Sequence, residues 1–186
     1  MKKLESNLKN MFLSMLLICS VMAFALAFVY TSTKDEIEKA NKEKEIQAVA
    51  QVLPKFDNEP VNEKYISDGL CFYPAKRNGK IIGIAVKSYS DKGFAGRIEI
   101  MVGFTTDNKI FNIKVMEQKE TPGLGTKMTE PLFLNQFYGK NLENFKLIVK
   151  KDGGDVDAIT AATISSRAFC DALSKAYNAY KNYISK

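Results

Sequence analysis

The chain contains no histidine and no tryptophan. Without an imidazole it has no Ser-His-Asp triad, no histidine-ligated metal and no histidine general base. Cysteine is scarce, at positions 19, 71 and 170 only, and this spacing matches neither CxxC nor an iron-sulfur ligand set. Only Cys71 and Cys170 fall in one soluble segment, and both a disulfide and two free thiols fit the sequence. No Gly-x-Gly-x-x-Gly dinucleotide fingerprint occurs. Charge is missing from the whole run Met11 to Tyr30. Elsewhere 27 Lys and Arg against 21 Asp and Glu leave a net charge of +6. The basic residues are spread along the chain, which together with the apolar run argues against a nucleic acid partner and suits anionic lipid or an acidic protein.

At about 1.5 Å per residue the apolar run Met11 to Tyr30 is long enough to cross a hydrocarbon core of about 30 Å. Lys2, Lys3 and Lys9 ahead of it, with Ala23-Phe24-Ala25 and Ala25-Leu26-Ala27 inside it, also fit a cleaved signal peptide. Continuation of the run through Phe28, Val29 and Tyr30 favours an uncleaved anchor. Cys19 follows Ile18, which is too large for a lipid-attachment site. Lys34, Lys39, Lys42 and Lys44 follow closely, so the positive-inside count does not separate the two sides. Thr33 and Glu36 have the spacing of a capping box, and Lys34 to Gln51, with Ile37, Ala40, Val49 and Leu53, reads as a surface helix or solvated helical stalk. The expected division is a cytoplasmic tail 1–10, a transmembrane helix 11–30, a stalk 31–53 and one extracytoplasmic domain 54–186.

Within that domain, Ile81 to Tyr89, Ile98 to Thr106 and Ile110 to Met116 are strand-like, and the turn Thr106-Asp107-Asn108-Lys109 joins the last two as a hairpin. Phe145 to Val149 reads as a further short strand. Pro131 to Phe137 reads as a short helix with an aromatic face, and Asp91-Lys92-Gly93-Phe94-Ala95-Gly96 as a glycine-rich turn. From Ile164 onward, Ala168, Ala172, Ala176 and Tyr180, with Phe169, Leu173 and Tyr177, keep the spacing of one buried helical face. The class is α+β, with a twisted, mainly antiparallel sheet flanked by helices.

Two stretches stand out chemically. Asp157-Ala158-Ile159-Thr160-Ala161-Ala162-Thr163-Ile164-Ser165-Ser166 sets hydroxyls among small side chains just ahead of the last helix. Unpaired amides and the helix dipole favour an anion there, although an ordinary Ser/Thr cap fits the same residues. Glu120-Thr121-Pro122-Gly123-Leu124-Gly125-Thr126-Lys127 combines a Pro-Gly turn with a second glycine, so the backbone can approach a flat or phosphorylated ligand. As an isolated feature it fits a surface turn more often than a binding loop.

In this order and spacing, the two stretches resemble the flavin-binding domain shared by the G subunit of Rnf-type electron transport complexes and the C subunit of the sodium-pumping NADH:quinone oxidoreductase. The resemblance spans nearly the whole chain and, by length, is closer to the Rnf protein. It implies FMN held covalently by a phosphoester to Thr163, placed there by a flavin transferase that reads Asp157, Thr160, Ala162 and Thr163. Ala161 stands where the family more often has Gly. Around Thr163 the resemblance assigns Thr160, Ala161, Ala162 and Ser165 to cofactor binding, and from the glycine loop Glu120, Thr121, Leu124, Gly125 and Lys127. The Asp91 to Gly96 turn resembles the family's Gly-aromatic-x-Gly feature.

The implied protein is a single-pass flavoprotein of the cell (inner) membrane with its large domain on the extracytoplasmic side. It would relay electrons within a complex that couples electron transfer between ferredoxin and NAD to cation translocation. Its partners would be the other Rnf subunits, the flavin transferase and the bilayer. No catalytic residue, metal site or nucleic acid partner of its own is expected. Alternatives are a stand-alone extracytoplasmic FMN electron-transfer protein and a non-redox binding domain.

Overall fold

The computed structural model describes residues 7–184. Residues 1–6 of the expected tail, with Lys2 and Lys3, lie outside the described residues, so only Asn7 to Asn10 of it are seen. The first element is one continuous helix, α1 (Leu8–Val52). It contains the whole apolar run, whose large side chains from Leu8 to Tyr30 are exposed. Hydroxyls within and just beyond that run bond back to the preceding turn: Ser14 Oγ donates to the Met11 carbonyl at 3.0 Å, and Thr31 Oγ1 to the Ala27 carbonyl at 3.0 Å. Thr33 does the same, with Oγ1 donating to the Val29 carbonyl at 2.9 Å, so the expected capping box is not formed. The reason is continuity, since no helix begins at Thr33 and its neighbours' amides already have intrahelical acceptors.

By contacts the chain divides between Lys44 and Glu45. From Glu45 onward the fold is built on a five-stranded sheet in the order β1-β2-β3-β4-β5, every neighbour antiparallel. The strands are β1 (Tyr65–Ser67), β2 (Leu70–Arg77), β3 (Lys80–Gly93), β4 (Gly96–Thr105) and β5 (Ile110–Glu117). Asp68-Gly69 and Asn78-Gly79 make the first two hairpin turns, each with φ of 52° and 75°, the mirror-image geometry that suits the twist of a hairpin. The expected β4–β5 hairpin is present around Thr106 to Lys109. The β3–β4 hairpin ends in Gly93-Phe94-Ala95-Gly96, with Gly93 paired to Gly96.

Strand alternation sends side chains to two cores. On one face Phe72, Ile84, Val86, Ile98, Ile100, Val102 and Phe104 meet α3 (Thr163–Ile184). Ala168, Ala172 and Ala176 keep that helix close to the sheet, while Phe169, Leu173 and Tyr180 fill the gaps, each full burial contributing about 2 kcal/mol. On the other face Tyr73, Ala75, Ala85 and Met101 pack on Ala48, Val49, Val52 and Leu53. The last turns of α1 therefore belong to this core, whereas Ile37 is 51% exposed. Glu45 is ion-paired to Lys64 at 3.2 Å and to Lys87 at 3.7 Å.

The two faces settle the cysteines. Cys170 is buried among the α3-side residues and Cys71 packs with the α1-side cluster, so the sheet lies between them and both are free thiols. Burial pushes the Cys170 thiol up to about 12.

After β5 the chain forms a 3-10 turn (Gly125–Thr129) and the short helix α2 (Pro131–Leu134), whose Phe133 meets Phe169 edge-on at 5.1 Å. The strand expected at Phe145 to Val149 is absent; only Val149 makes a bridge, parallel, to Val156. Instead the segment folds back on residues 154–156. Lys146 N–H donates to Asp155 Oδ2 at 2.7 Å, and a Cβ on Gly154 would lie 2.0 Å from the Ile148 carbonyl oxygen. Phe145, Leu147 and Val149 still reach the core from this loop.

Candidate functional site

The α3 N-terminus, the glycine loop and the β3–β4 tip converge. Together they wall a cavity of about 340 Å³ lined by Phe94, by Glu120, Thr121, Leu124 and Gly125, and by Ala161, Ala162, Thr163, Ile164 and Ser165. This volume lies at the lower end of the range of ligand pockets, about 300–1,000 Å³.

Local geometry explains each wall. Thr163 is the first residue of α3 and half-buried, at a helix end whose first-turn amides have no intrahelical acceptor. Ala161 brings the chain into that turn with φ of 61°, a left-handed conformation that disfavours any side chain with a Cβ. The turn is tied by the Ala162 N–H donating to the Ile159 carbonyl at 3.0 Å and by the Ile159 N–H donating to Ser166 Oγ at 2.9 Å. Farther back, the Arg167 guanidinium grips Asp152 through two hydrogen bonds of 2.7 and 2.8 Å and holds its carboxyl below the usual range.

The glycine loop closes on itself through Leu124 N–H to the Thr121 carbonyl at 3.1 Å and Gly123 N–H to Thr126 Oγ1 at 3.0 Å. A Cβ on Gly125 would lie 2.7 Å from Glu120 Cβ and Oε2 and from Ser165 Oγ, so only glycine lets the loop sit against α3. Glu120 is 5% exposed. Its Oε2 accepts from Ser165 Oγ at 2.7 Å and its Oε1 from the Ala95 N–H at 3.2 Å, joining all three segments.

Of the residues expected at the site, Thr163, Ala161, Ala162, Ser165, Glu120, Thr121, Leu124 and Gly125 share this cavity. Thr160 and Lys127 do not; with Asp157 they line a neighbouring cavity of about 360 Å³, alongside Glu130, Leu132, Phe133 and Gln136. Asp157 is held there at its backbone by Gln136, which accepts its N–H at 2.7 Å, and its carboxylate pairs with Lys150 at 2.7 Å. Two lining residues were missed. Phe94, 68% exposed, lay inside the Gly-aromatic-x-Gly turn, whose two glycines were the signal available. Ile164, 48% exposed, reads in sequence as the start of the buried helical face.

Residues 93–178 match the family model described as FMN-binding domain, a span that includes every wall of the cavity. The chain is 34% identical over 179 residues to the G subunit of the ion-translocating oxidoreductase complex of Methanosarcina acetivorans, covering 92% of this chain and 94% of that protein. It is 32% identical over 187 residues to the G subunit of the Na(+)-translocating ferredoxin:NAD(+) oxidoreductase complex of Acetobacterium woodii, covering 91% and 90% respectively. Among solved structures, the C subunit of the Na(+)-translocating NADH-quinone reductase from Parabacteroides distasonis shares the fold, with a TM-score of 0.59 at 18% identity over 81% of this chain and 94% of that one.

Proposed function

From the premise that the chain belongs to the family of G subunits of ion-translocating oxidoreductase complexes, we propose that it is the flavoprotein component of such a complex, relaying electrons through FMN esterified to Thr163. The chain is a subunit of an oxidoreductase translocase, with an FMN-binding domain that serves electron transfer. The finer reading is a single-pass anchor through Met11 to Tyr30, the large domain outside, and electron flow between ferredoxin and NAD coupled to cation movement.

One observation carries the reading of the site: Thr163 opens α3 on the wall of the cavity that the glycine loop also lines. The residues present fit FMN. Phe94, Leu124 and Ile164 offer apolar surface to a flat ring, and the first-turn amides of α3 offer donors to a phosphate. When bound, the flavin supplies reversible electron storage, and the chain holds and surrounds it. Thr163 Oγ1 provides the ester oxygen, which leaves the ring free. Apolar residues at the rim limit water. Asp157 and Thr160, exposed on the neighbouring cavity, leave a face through which a flavin transferase reads the segment.

The test is coexpression of the full chain with a flavin transferase, a denaturing gel viewed for flavin fluorescence, and peptide mapping of the added mass. Fluorescence at the band with the mass on Thr163 supports the reading. A dark band from folded, transferase-exposed protein sinks it and turns attention to a binding domain.

A further inference from the structure

Glu120 is the only acidic side chain lining the cavity, and no Lys or Arg lines it among the described residues. Its two hydrogen-bond donors, Ser165 Oγ and the Ala95 N–H, are both neutral. Lys127, the cation that the loop sequence offers, lines the other cavity. The scaffold does not require a charge at this position. A glutamine amide would accept from Ala95 through its oxygen and donate to Ser165 Oγ through its nitrogen, and it is far less costly to bury than a carboxylate. A buried carboxylate without a cation projects an uncancelled negative field into low-dielectric surroundings.

We propose that Glu120 sets the redox poise of the site: its negative charge makes each electron added to the group held there less favourable. Its two hydrogen bonds meanwhile fix the Phe94 hairpin against the first turn of α3. Glu120 is thus a positioning residue that also supplies a field. This inference rests on the flavin reading of the cavity given above.

The experiment uses the full chain, coexpressed with a flavin transferase, as wild type, Glu120→Gln and Glu120→Asp. Mass spectrometry counts covalent flavin, spectroelectrochemistry gives its midpoint potential, and thermal unfolding of the unloaded chains reports the scaffold. Glu120→Gln is expected to load flavin, to keep the wild-type melting temperature, and to raise the midpoint potential by about 59 mV, a tenfold change in a one-electron equilibrium. Glu120→Asp, which keeps the charge, is expected to stay near the wild-type potential. A Glu120→Gln chain with unchanged potential overturns the proposal, as does one that fails to fold or load, because the amide keeps both contacts, accepting from the Ala95 N–H and donating to Ser165 Oγ. Equal shifts in both variants overturn it too. Absence of flavin from the wild type overturns the flavin reading itself.

Discussion

The carbonyl oxygen of Val52 lies 1.6 Å from the point where a Cβ on Gly103 would stand. The last turn of α1 therefore rests directly on the backbone of β4, and any side chain at Gly103 pushes it off. Gly103→Ala is expected to destabilise the fold by about 3 kcal/mol. Tyrosine fluorescence of the detergent-solubilised chain during urea unfolding measures this, and a loss below about 1 kcal/mol contradicts the packing.

Ala161 has φ of 61°. Ala161→Gly removes left-handed strain of about 1 kcal/mol, from which the greater freedom of glycine in the unfolded chain subtracts a part. The expected outcome is a melting temperature equal to or above wild type, with flavin loading undiminished. A clear drop in either would mean that the alanine methyl is required.

Burial raises the Asp171 carboxyl, but hydrogen bonds from Lys92, Ser90 and Lys175 outweigh it and hold the group down to about 2. Against an unfolded value of about 3.9 this stabilisation is fully present above about pH 4 and is lost as the pH falls through about 2. Asp171→Asn should cost about 2 kcal/mol at about pH 7 and flatten the stability profile between about pH 4 and 2. Parallel profiles for variant and wild type would refute the assignment.

Thr163→Ala should abolish covalent flavin, whereas Thr160→Ala, on the neighbouring cavity, should lower the loading efficiency and keep the acceptor. In-gel fluorescence after coexpression with the transferase separates the two. Fluorescence persisting in Thr163→Ala would move the acceptor elsewhere, with Ser165 and Thr160 the nearest candidates.

Cys71 and Cys170 should alkylate as two free thiols, with Cys170 reacting only on unfolding because it is buried in the α3-side core. Mass spectrometry of alkylated native and denatured protein reads this. A deficit of two hydrogens in the mass of the intact, non-reduced chain is the contrary result.

Much of this architecture was legible in the sequence where a periodic face met one partner. Helix α3 shows through Ala168, Ala172 and Ala176, and the β4–β5 hairpin through its polar turn. β1 and β2 were not recognised, although Asp68-Gly69 and Asn78-Gly79 mark both of their turns. The alternation Phe145, Leu147, Val149 misled because it records which side chains are buried and says nothing of whether a neighbouring strand is present. Chain proximity alone does not place residues in one cavity. Thr160 lies three positions before Thr163, yet the left-handed turn at Ala161 separates them into different cavities. Lys127 leaves the glycine loop through the 3-10 turn in the same way.

The helix that begins at Thr163 is fastened at both ends. Ser165 is bonded to Glu120 near its start, and Tyr180, stacked on Phe104 at 4.5 Å, donates to the Thr105 carbonyl at 2.8 Å near its finish. Between them Ser88 Oγ bonds the Ala172 carbonyl at 2.8 Å. A mast stayed at top, middle and foot does not swing. On the proposed reading, a flavin esterified to Thr163 has only the few rotatable bonds of its own tether for travel, so its range is that of a short leash. Any longer excursion toward a neighbour must move the sheet with it.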